Sequence, residues 1–318
     1  MVMRVSIIGA GRTRNGIGEY IGKYFHANGA EVTSVLGTTE QTSQGATIAL
    51  RKYGIVSAPY TNFHRMVERE RPEAVVIASP SSTHYVYLVK CIEMGLNIFC
   101  EKPFIWQQPA ELGTAAQEIL QKADEKKVTV AMNSQWPFAL DVYEAMCGKI
   151  EVKETNRFFM RMSPYSPGRE MIPESVPHPL SLLYCSLGEG DIREVGVESP
   201  GEREMLLRFQ YVSKTGACDV TLTLVSQKEQ PRDFRFGFND KIVRRRIDLK
   251  NYDICLHYEG KDIKIVDPLA LSVKNFIEAV REKREPLIGS SHILNTINLL
   301  KKIDEGYEAG EKKALWKS

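Results

Sequence analysis

Along the first 133 residues, short and almost unbroken apolar runs alternate with stretches whose apolar residues recur every three or four positions. The runs are "RVSIIG", "EVTSVLGT", "EAVVIASP", "NIFCEKP" and "KVTVAMN", and the stretches between them include "TIALRKYG" and "THYVYLVKCIEMG". A strand that is apolar at every position is buried on both faces. Such strands alternating with amphipathic helices predict a parallel sheet covered on both sides, an α/β doubly wound domain of Rossmann type over residues 1–133.

After Asn133 the rhythm changes. "FALDVYEAMCGK" predicts a helix, and then "VKETNRFFMRMS", "EREMLLRFQYV", "ACDVTLTLVSQ", "DFRFGFN", "KIVRRRIDL" and "DICLHYEG" alternate, or carry β-branched and aromatic residues, with short interruptions. Strands that follow so closely predict a mostly antiparallel open sheet. One helix interrupts them from Pro179 to Gly188, with the proline suited to a first turn and the glycine to a stop. "PLALSVKNFIEAVREKREP" and "SSHILNTINLLKKIDEGYEAG" predict two closing amphipathic helices. Residues 134–318 thus form a C-terminal α+β domain.

Composition adds mainly exclusions. A chain of 318 residues that is 43% hydrophobic supplies enough core for two domains. The formal charge of +2 is nearly balanced, and "VRRRI" at Val243 to Ile247 is the longest basic run, expected on a solvated strand face. Nucleic acid and membrane surfaces are therefore not the expected partners. The six cysteines form no CxxC pair, which fits reduced thiols in the cytoplasm, and no apolar stretch approaches the roughly 20 residues that span a bilayer. The six histidines show no zinc-type spacing, so no metal site is expected.

The candidate chemistry begins in "GAGRTRNGIG", between the strand "RVSII" and the helical pattern "GEYIGKYFHANG". A glycine-rich turn in that position presents backbone N–H groups and a positive helix end to a pyrophosphate. The usual GxGxxG is stretched: Gly9 and Gly11 are followed by Arg12, Thr13 and Arg14, and the next glycines are Gly16 and Gly18. The reading is a lengthened phosphate loop; a strand-to-helix turn without ligand is the alternative. About 20 residues further on, where an acidic residue would bind the ribose of NAD, stand Leu36, Gly37, Thr38 and Thr39, with Glu40 the nearest carboxylate. Thr38 and Thr39 would donate to a 2′-phosphate that Arg12 or Arg14 neutralises, so NADP is preferred over NAD. A solvated loop is the other reading of the two arginines.

Two further segments, "ASPSSTH" at Ala78 to His84 and "CEKP" at Cys100 to Pro103, are separated by one predicted helix. With this pairing the chain resembles the glucose-fructose oxidoreductase and inositol dehydrogenase family (Gfo/Idh/MocA), and the order of a parallel domain, a mostly antiparallel domain and closing helices matches over its whole length. Lys102 also stands on physical grounds. A lysine at the carboxyl end of a parallel strand faces the crevice where ligands bind, and its ammonium would stabilise alkoxide character as hydride leaves. The resemblance implies a cis Lys102–Pro103 bond, cofactor contacts at Ser79, Pro80, His84 and Glu101, and a second catalytic element in "MIPESVPHPLSLL".

That element is an aspartate four residues before a histidine in the family; here Glu174 and His178 have the spacing. His178 becomes the general acid/base, suited by an unperturbed pKa of about 6.5. Pro173, Pro177 and Pro179 leave the helical geometry between the two open. The resemblance also places Gln135 and Trp136 of "NSQWPF" at the substrate site, with plain core the other reading of Trp136. In the proline and glycine loop "SPYSPGRE", Tyr165 and Arg169 would reach substrate, Arg169 binding an anionic group, unless the loop is simply solvated.

The resemblance implies an NAD(P)-dependent oxidoreductase acting on a carbonyl or secondary alcohol of a small polar substrate, a sugar, cyclitol or derivative. Imine reduction is an alternative reaction, and a cofactor-binding sensor without catalysis an alternative class. A homodimer or homotetramer formed through the C-terminal sheet is expected.

Overall fold

The computed structural model describes residues 2–11, 17–106 and 111–315. They divide into two compact units, Met1–Ser134 with Leu269–Leu294, and Gln135–Pro268 with Asn295–Ser318. The first unit thus takes in a late segment that the linear division after Asn133 assigns to the C-terminal domain.

In the first unit, β1 (Arg4–Ile8), β2 (Glu31–Leu36), β3 (Ala58–Tyr60), β4 (Ala74–Ile77), β5 (Asn97–Glu101) and β6 (Val130–Asn133) form a parallel six-stranded sheet in the order β3-β2-β1-β4-β5-β6. Helices α1 (Gly18–Ala27), α2 (Glu40–Leu50), α3 (Phe63–Glu70), α4 (His84–Glu93) and α5 (Leu112–Glu125) alternate with the strands. All four residues of β4 are buried, as an all-apolar central strand requires. The late segment contributes α9 (Pro268–Glu282), whose Val273, Phe276 and Ile277 join the core of β1, α1 and β5. There Phe25, Phe99 and Phe276 form a three-ring cluster with centroids 5.4 to 6.0 Å apart. Burying a side chain of this size contributes about 2–3 kcal/mol.

In the second unit, α6 (Leu140–Cys147), β7 (Thr155–Met162), α7 (Met171–Ser175) and α8 (Pro177–Leu187) precede the strands β8 (Gly190–Gly201), β9 (Glu204–Ser213), β10 (Gly216–Val225), β11 (Phe234–Phe238), β12 (Lys241–Asp248), β13 (Asp253–Tyr258) and β14 (Lys261–Ile265). Eight strands make one sheet in the order β14-β13-β12-β11-β7-β10-β9-β8, antiparallel except for the β7–β10 pair. One face is apolar, with Phe158, Met160, Leu207, Phe209, Val220, Leu222 and Phe236 buried. The buried Tyr143 of α6 accepts from Phe238 N at 2.8 Å and donates to Lys241 O at 2.9 Å, satisfying the hairpin between β11 and β12. The last helix, α10 (Ser290–Leu315), starts in the first unit and continues in the second. No helix among the described residues is long and apolar enough to cross a membrane.

Candidate active site

The site begins where β1 ends. Gly9 has φ +84°, and a Cβ there would come within 2.6 Å of Ser79 N, so the β1–α1 turn lies directly against the turn after β4. Gly18, first residue of α1, is equally constrained, since a Cβ would meet Gly9 O at 2.7 Å. Ala78 N donates to Ile8 O at 2.9 Å and Gly9 N to Leu36 O at 3.1 Å, pinning three strand ends together. β1 and β4 are the strands at which the order reverses, the position where open α/β sheets bind ligands. Backbone packed this closely at a helix start fits a dinucleotide pyrophosphate. Gly11 follows the turn, whereas Arg12, Thr13, Arg14 and Gly16 lie outside the described residues.

At the end of β2, the expected ligand donors stand at the start of α2. Thr39 caps α2: its hydroxyl accepts from Thr42 N at 3.2 Å while Thr42 Oγ1 accepts from Thr39 N at 3.0 Å. That hydroxyl satisfies a first-turn N–H of the helix as an acceptor. Thr38 and Glu40 are exposed beside it.

Beyond β4, Ser79 Oγ and Thr83 Oγ1 lie 2.7 Å apart and shape the turn that contains Pro80. His84 is 1% exposed, with Nε2 2.8 Å from Ser79 O and Nδ1 2.9 Å from Pro103 O. Burial lowers its pKa, and the neighbouring Lys102 charge acts in the same direction against the raising effect of the carbonyls. His84, expected beside a cofactor, lies between the Ser79 and Pro103 carbonyls and so joins the turns after β4 and β5.

Lys102 follows directly on β5, and its bond to Pro103 is cis. Glu101 pairs in register with Asn133 of β6, whose amide donates to the Glu101 carboxylate. Burial raises that carboxyl to about 7, opposed by the Lys102 ammonium and the Asn133 amide. At this strand end a partly buried carboxyl that exchanges protons near neutrality thus adjoins the partly buried Lys102.

The second unit carries the other candidates. Between α7 and α8, Val176 has helical dihedrals of φ −62° and ψ −28°, Val176 N donates to Ile172 O at 2.9 Å, and Leu180 N donates to Val176 O at 3.2 Å. Glu174 and His178 thus share a helical face despite the prolines, and α8 starts at Pro177, two residues before the expected Pro179. His178 is buried. The Glu174 carboxylate accepts from Tyr165 N at 2.6 Å and Ser166 N at 2.9 Å, holding the loop after β7.

Arg169, expected to meet an anionic group, is already paired: Nε donates to Asp304 Oδ1 at 2.8 Å, Nη2 to Asp304 Oδ2 at 2.6 Å, and Glu308 lies at 2.7 Å. It fastens the loop to α10. Trp136 is buried and stacked on Phe234 with centroids 3.7 Å apart, next to the partly exposed Gln135. The structure brings unexpected residues to the same place. Arg245 lies 5.6 Å from the Trp136 ring, and Arg232 lies 5.6 Å from the Tyr165 ring. Arg245 belongs to "VRRRI", expected wholly on a solvated face; Arg244 and Arg246 are exposed, while Arg245 shares the side of Val243 and Ile247. Two-residue strand periodicity carried that signal.

Residues 3–134 match the oxidoreductase family GFO_IDH_MocA, described as having an NAD-binding Rossmann fold. The chain is 29% identical over 142 residues to D-glucoside 3-dehydrogenase of Escherichia coli, a match spanning 45% of this chain and 37% of that protein. It is 22% identical to 4-carboxy-2-hydroxymuconate-6-semialdehyde dehydrogenase of Sphingobium over 95% of this chain and 98% of the other. Among solved structures, UDP-N-acetylglucosamine 3-dehydrogenase from Acidithiobacillus ferrooxidans superimposes with a TM-score of 0.72 at 17% identity, covering 98% and 99% of the two chains. The myo-inositol dehydrogenase of Lactobacillus casei, solved with NAD(H) and myo-inositol, gives 0.71 at 15% identity over 97% and 95%.

Proposed function

Because residues 3–134 belong to the Gfo/Idh/MocA oxidoreductase family, we propose that the protein is an NAD(P)-dependent dehydrogenase or reductase that moves hydride between nicotinamide and a carbonyl or secondary alcohol. The substrate is a small polar molecule, a sugar, cyclitol or derivative. The observation that carries this reading is the join between the two catalytic segments: His84 holds the Ser79 turn, packed on Gly9, to the cis Lys102–Pro103 turn. Relatives named as dehydrogenases of glucosides and of a semialdehyde support the reaction class.

In this reading Gly9, Gly11 and Gly18 let the backbone approach the cofactor phosphates, with Arg12, Thr13, Arg14 and Gly16 completing the loop. Ser79, Pro80 and Glu101 line the nicotinamide side. The bound nicotinamide supplies the hydride acceptor or donor. Lys102 donates a hydrogen bond to the substrate oxygen and stabilises its negative charge. His178 takes or returns the hydroxyl proton, and Glu174 holds the loop that carries Tyr165 and Ser166. Gln135, Trp136 and Tyr165 contact the substrate.

NADP is preferred over NAD in the same proposal, since β2 ends without a carboxylate; the contact falls to Thr38, Thr39, Arg12 and Arg14. We place the protein in the cytoplasm as a homodimer or homotetramer associating through the second unit's sheet. The reading is tested by titrating NADPH and NADH into the native protein and into Arg12→Ala and Arg14→Ala, followed by turnover on sugars, cyclitols, keto acids and imines. Tighter NADPH binding that weakens in the arginine variants, with turnover of a polyol or its ketone, is expected. Tight cofactor binding with no turnover favours a sensor instead, and turnover confined to imines an imine reductase.

A further inference from the structure

Three guanidinium groups in the second unit hold donors that are shielded from solvent; Nε of Arg161 has the Asp233 carboxylate at 3.0 Å, and the other two belong to Arg232 and Arg245. Nε and Nη2 of Arg232 and Nε of Arg245 meet no hydrogen-bond acceptor among the described residues. A shielded charged donor without an acceptor is costly, so its position calls for an oxygen partner. On Arg232 the two atoms define one edge of the planar group, whose parallel N–H bonds match the two oxygens of a carboxylate. The same unit shows this edge engaged elsewhere, where Arg169 grips both oxygens of Asp304 through Nε and Nη2. Arg232 presents the identical fork with no hydrogen-bond acceptor on it among the described residues.

The surroundings favour an organic acid. Arg245 donates Nη2 to Arg232 O at 2.7 Å, which couples the two residues, and lies over the stacked Trp136 and Phe234 rings at 5.6 and 5.3 Å. Arg232 and Lys228 lie 5.6 and 5.9 Å from the ring of Tyr165. Cations and aromatic faces thus occur together. The carboxylates acting on Arg245 are Asp233 and Asp267, and Asp233 is drawn to Arg161, Arg235 and Arg244.

We propose that Arg232 and Arg245 form a carboxylate-binding site, Arg232 through its Nε–Nη2 edge and Arg245 through Nε, with Trp136 and Tyr165 as flanking aromatic groups. The ligand is a sugar acid or related hydroxy acid. That it serves as the substrate rests on the oxidoreductase reading above; the anion site itself does not.

Matched rings test it. Calorimetric titration with D-glucuronate and D-galacturonate is compared with D-glucose and D-galactose, which lack the carboxylate, and with D-glucose 6-phosphate, with and without NADP. At least one uronate is expected to bind ~10-fold or more tightly than its neutral partner. Arg232→Lys, which keeps the charge but loses the fork, is expected to erase about tenfold of that preference while melting like the native protein. Arg246→Gln, an exposed arginine paired with Asp262, serves as the control and leaves affinity unchanged. Equal affinity for acid and neutral sugar, no binding of either uronate, preference for the phosphate, or an unaffected Arg232→Lys overturns the site. Uronate binding without hydride transfer sinks the reaction and leaves the site standing. Turnover of neutral sugars untouched by Arg232→Lys does the reverse.

Discussion

Replacing Glu101 by glutamine keeps the shape of the side chain and an acceptor for the Asn133 amide, but removes the charge beside Lys102. Burial raises the native carboxyl from an ordinary 4.5 to about 7. Between those values the folded protein holds a proton that the unfolded chain has released. Stability therefore falls as pH rises through that window, and the full penalty is present above about 7. The ceiling is roughly 3 kcal/mol, and the partial exposure of Glu101 reduces it to about 1.5.

The native curve alone does not isolate this effect, because His292 acts in the opposite sense. Burial holds that imidazole down at about 4, so its contribution is lost as pH falls from the ordinary 6.5 toward 4. Both proteins share His292, and the difference between them removes it. Urea denaturation of the native protein and Glu101→Gln between pH 4.5 and 8 should show the variant gaining about 1.5 to 3 kcal/mol relative to native as pH rises. Parallel curves, or a variant that loses ground at pH 8, would refute the assignment of a buried, proton-holding carboxyl at this strand end.

Gly9→Ala must enter a left-handed backbone region and displace the Ser79 backbone, so about 2–4 kcal/mol of stability is expected to go. Dinucleotide affinity should fall with it, and unchanged denaturation and NADPH titration would contradict the close approach of the two turns. Glu174→Ala leaves the N–H groups of Tyr165 and Ser166 without their acceptor, which should cost about 1–3 kcal/mol and raise KM more than it lowers kcat. A pure kcat defect with an altered pH profile would instead make Glu174 a proton relay.

The interior of both sheets was legible because central strands show their burial directly. β1, β4 and β5 are apolar at successive positions, and β9 and β10 alternate as one-faced strands do. The strands that escaped notice, β3, β8 and β14, all lie at sheet edges, where burial is sparse and the period is lost. The positions of Lys102 after β5 and of the Ser79 turn after β4 were legible because strand ends and turn residues are local features. What was hidden depends on partners far away in sequence. Arg169 looks free until Asp304, 135 residues later, closes on it. Arg245 was concealed by its charge, although its parity with Val243 placed it on the apolar side.

The central claim is that Lys102 carries the chemistry at a nicotinamide site built from the Gly9, Ser79 and Lys102 turns. Its most direct test is a single-turnover measurement of nicotinamide absorbance at 340 nm, on the substrate found by the panel, in the native protein and Lys102→Ala with cofactor affinity titrated in parallel. The account predicts that hydride transfer in the variant falls by about a thousandfold or more while the dinucleotide dissociation constant stays within about threefold. Transfer at the native rate with Lys102 removed would contradict it.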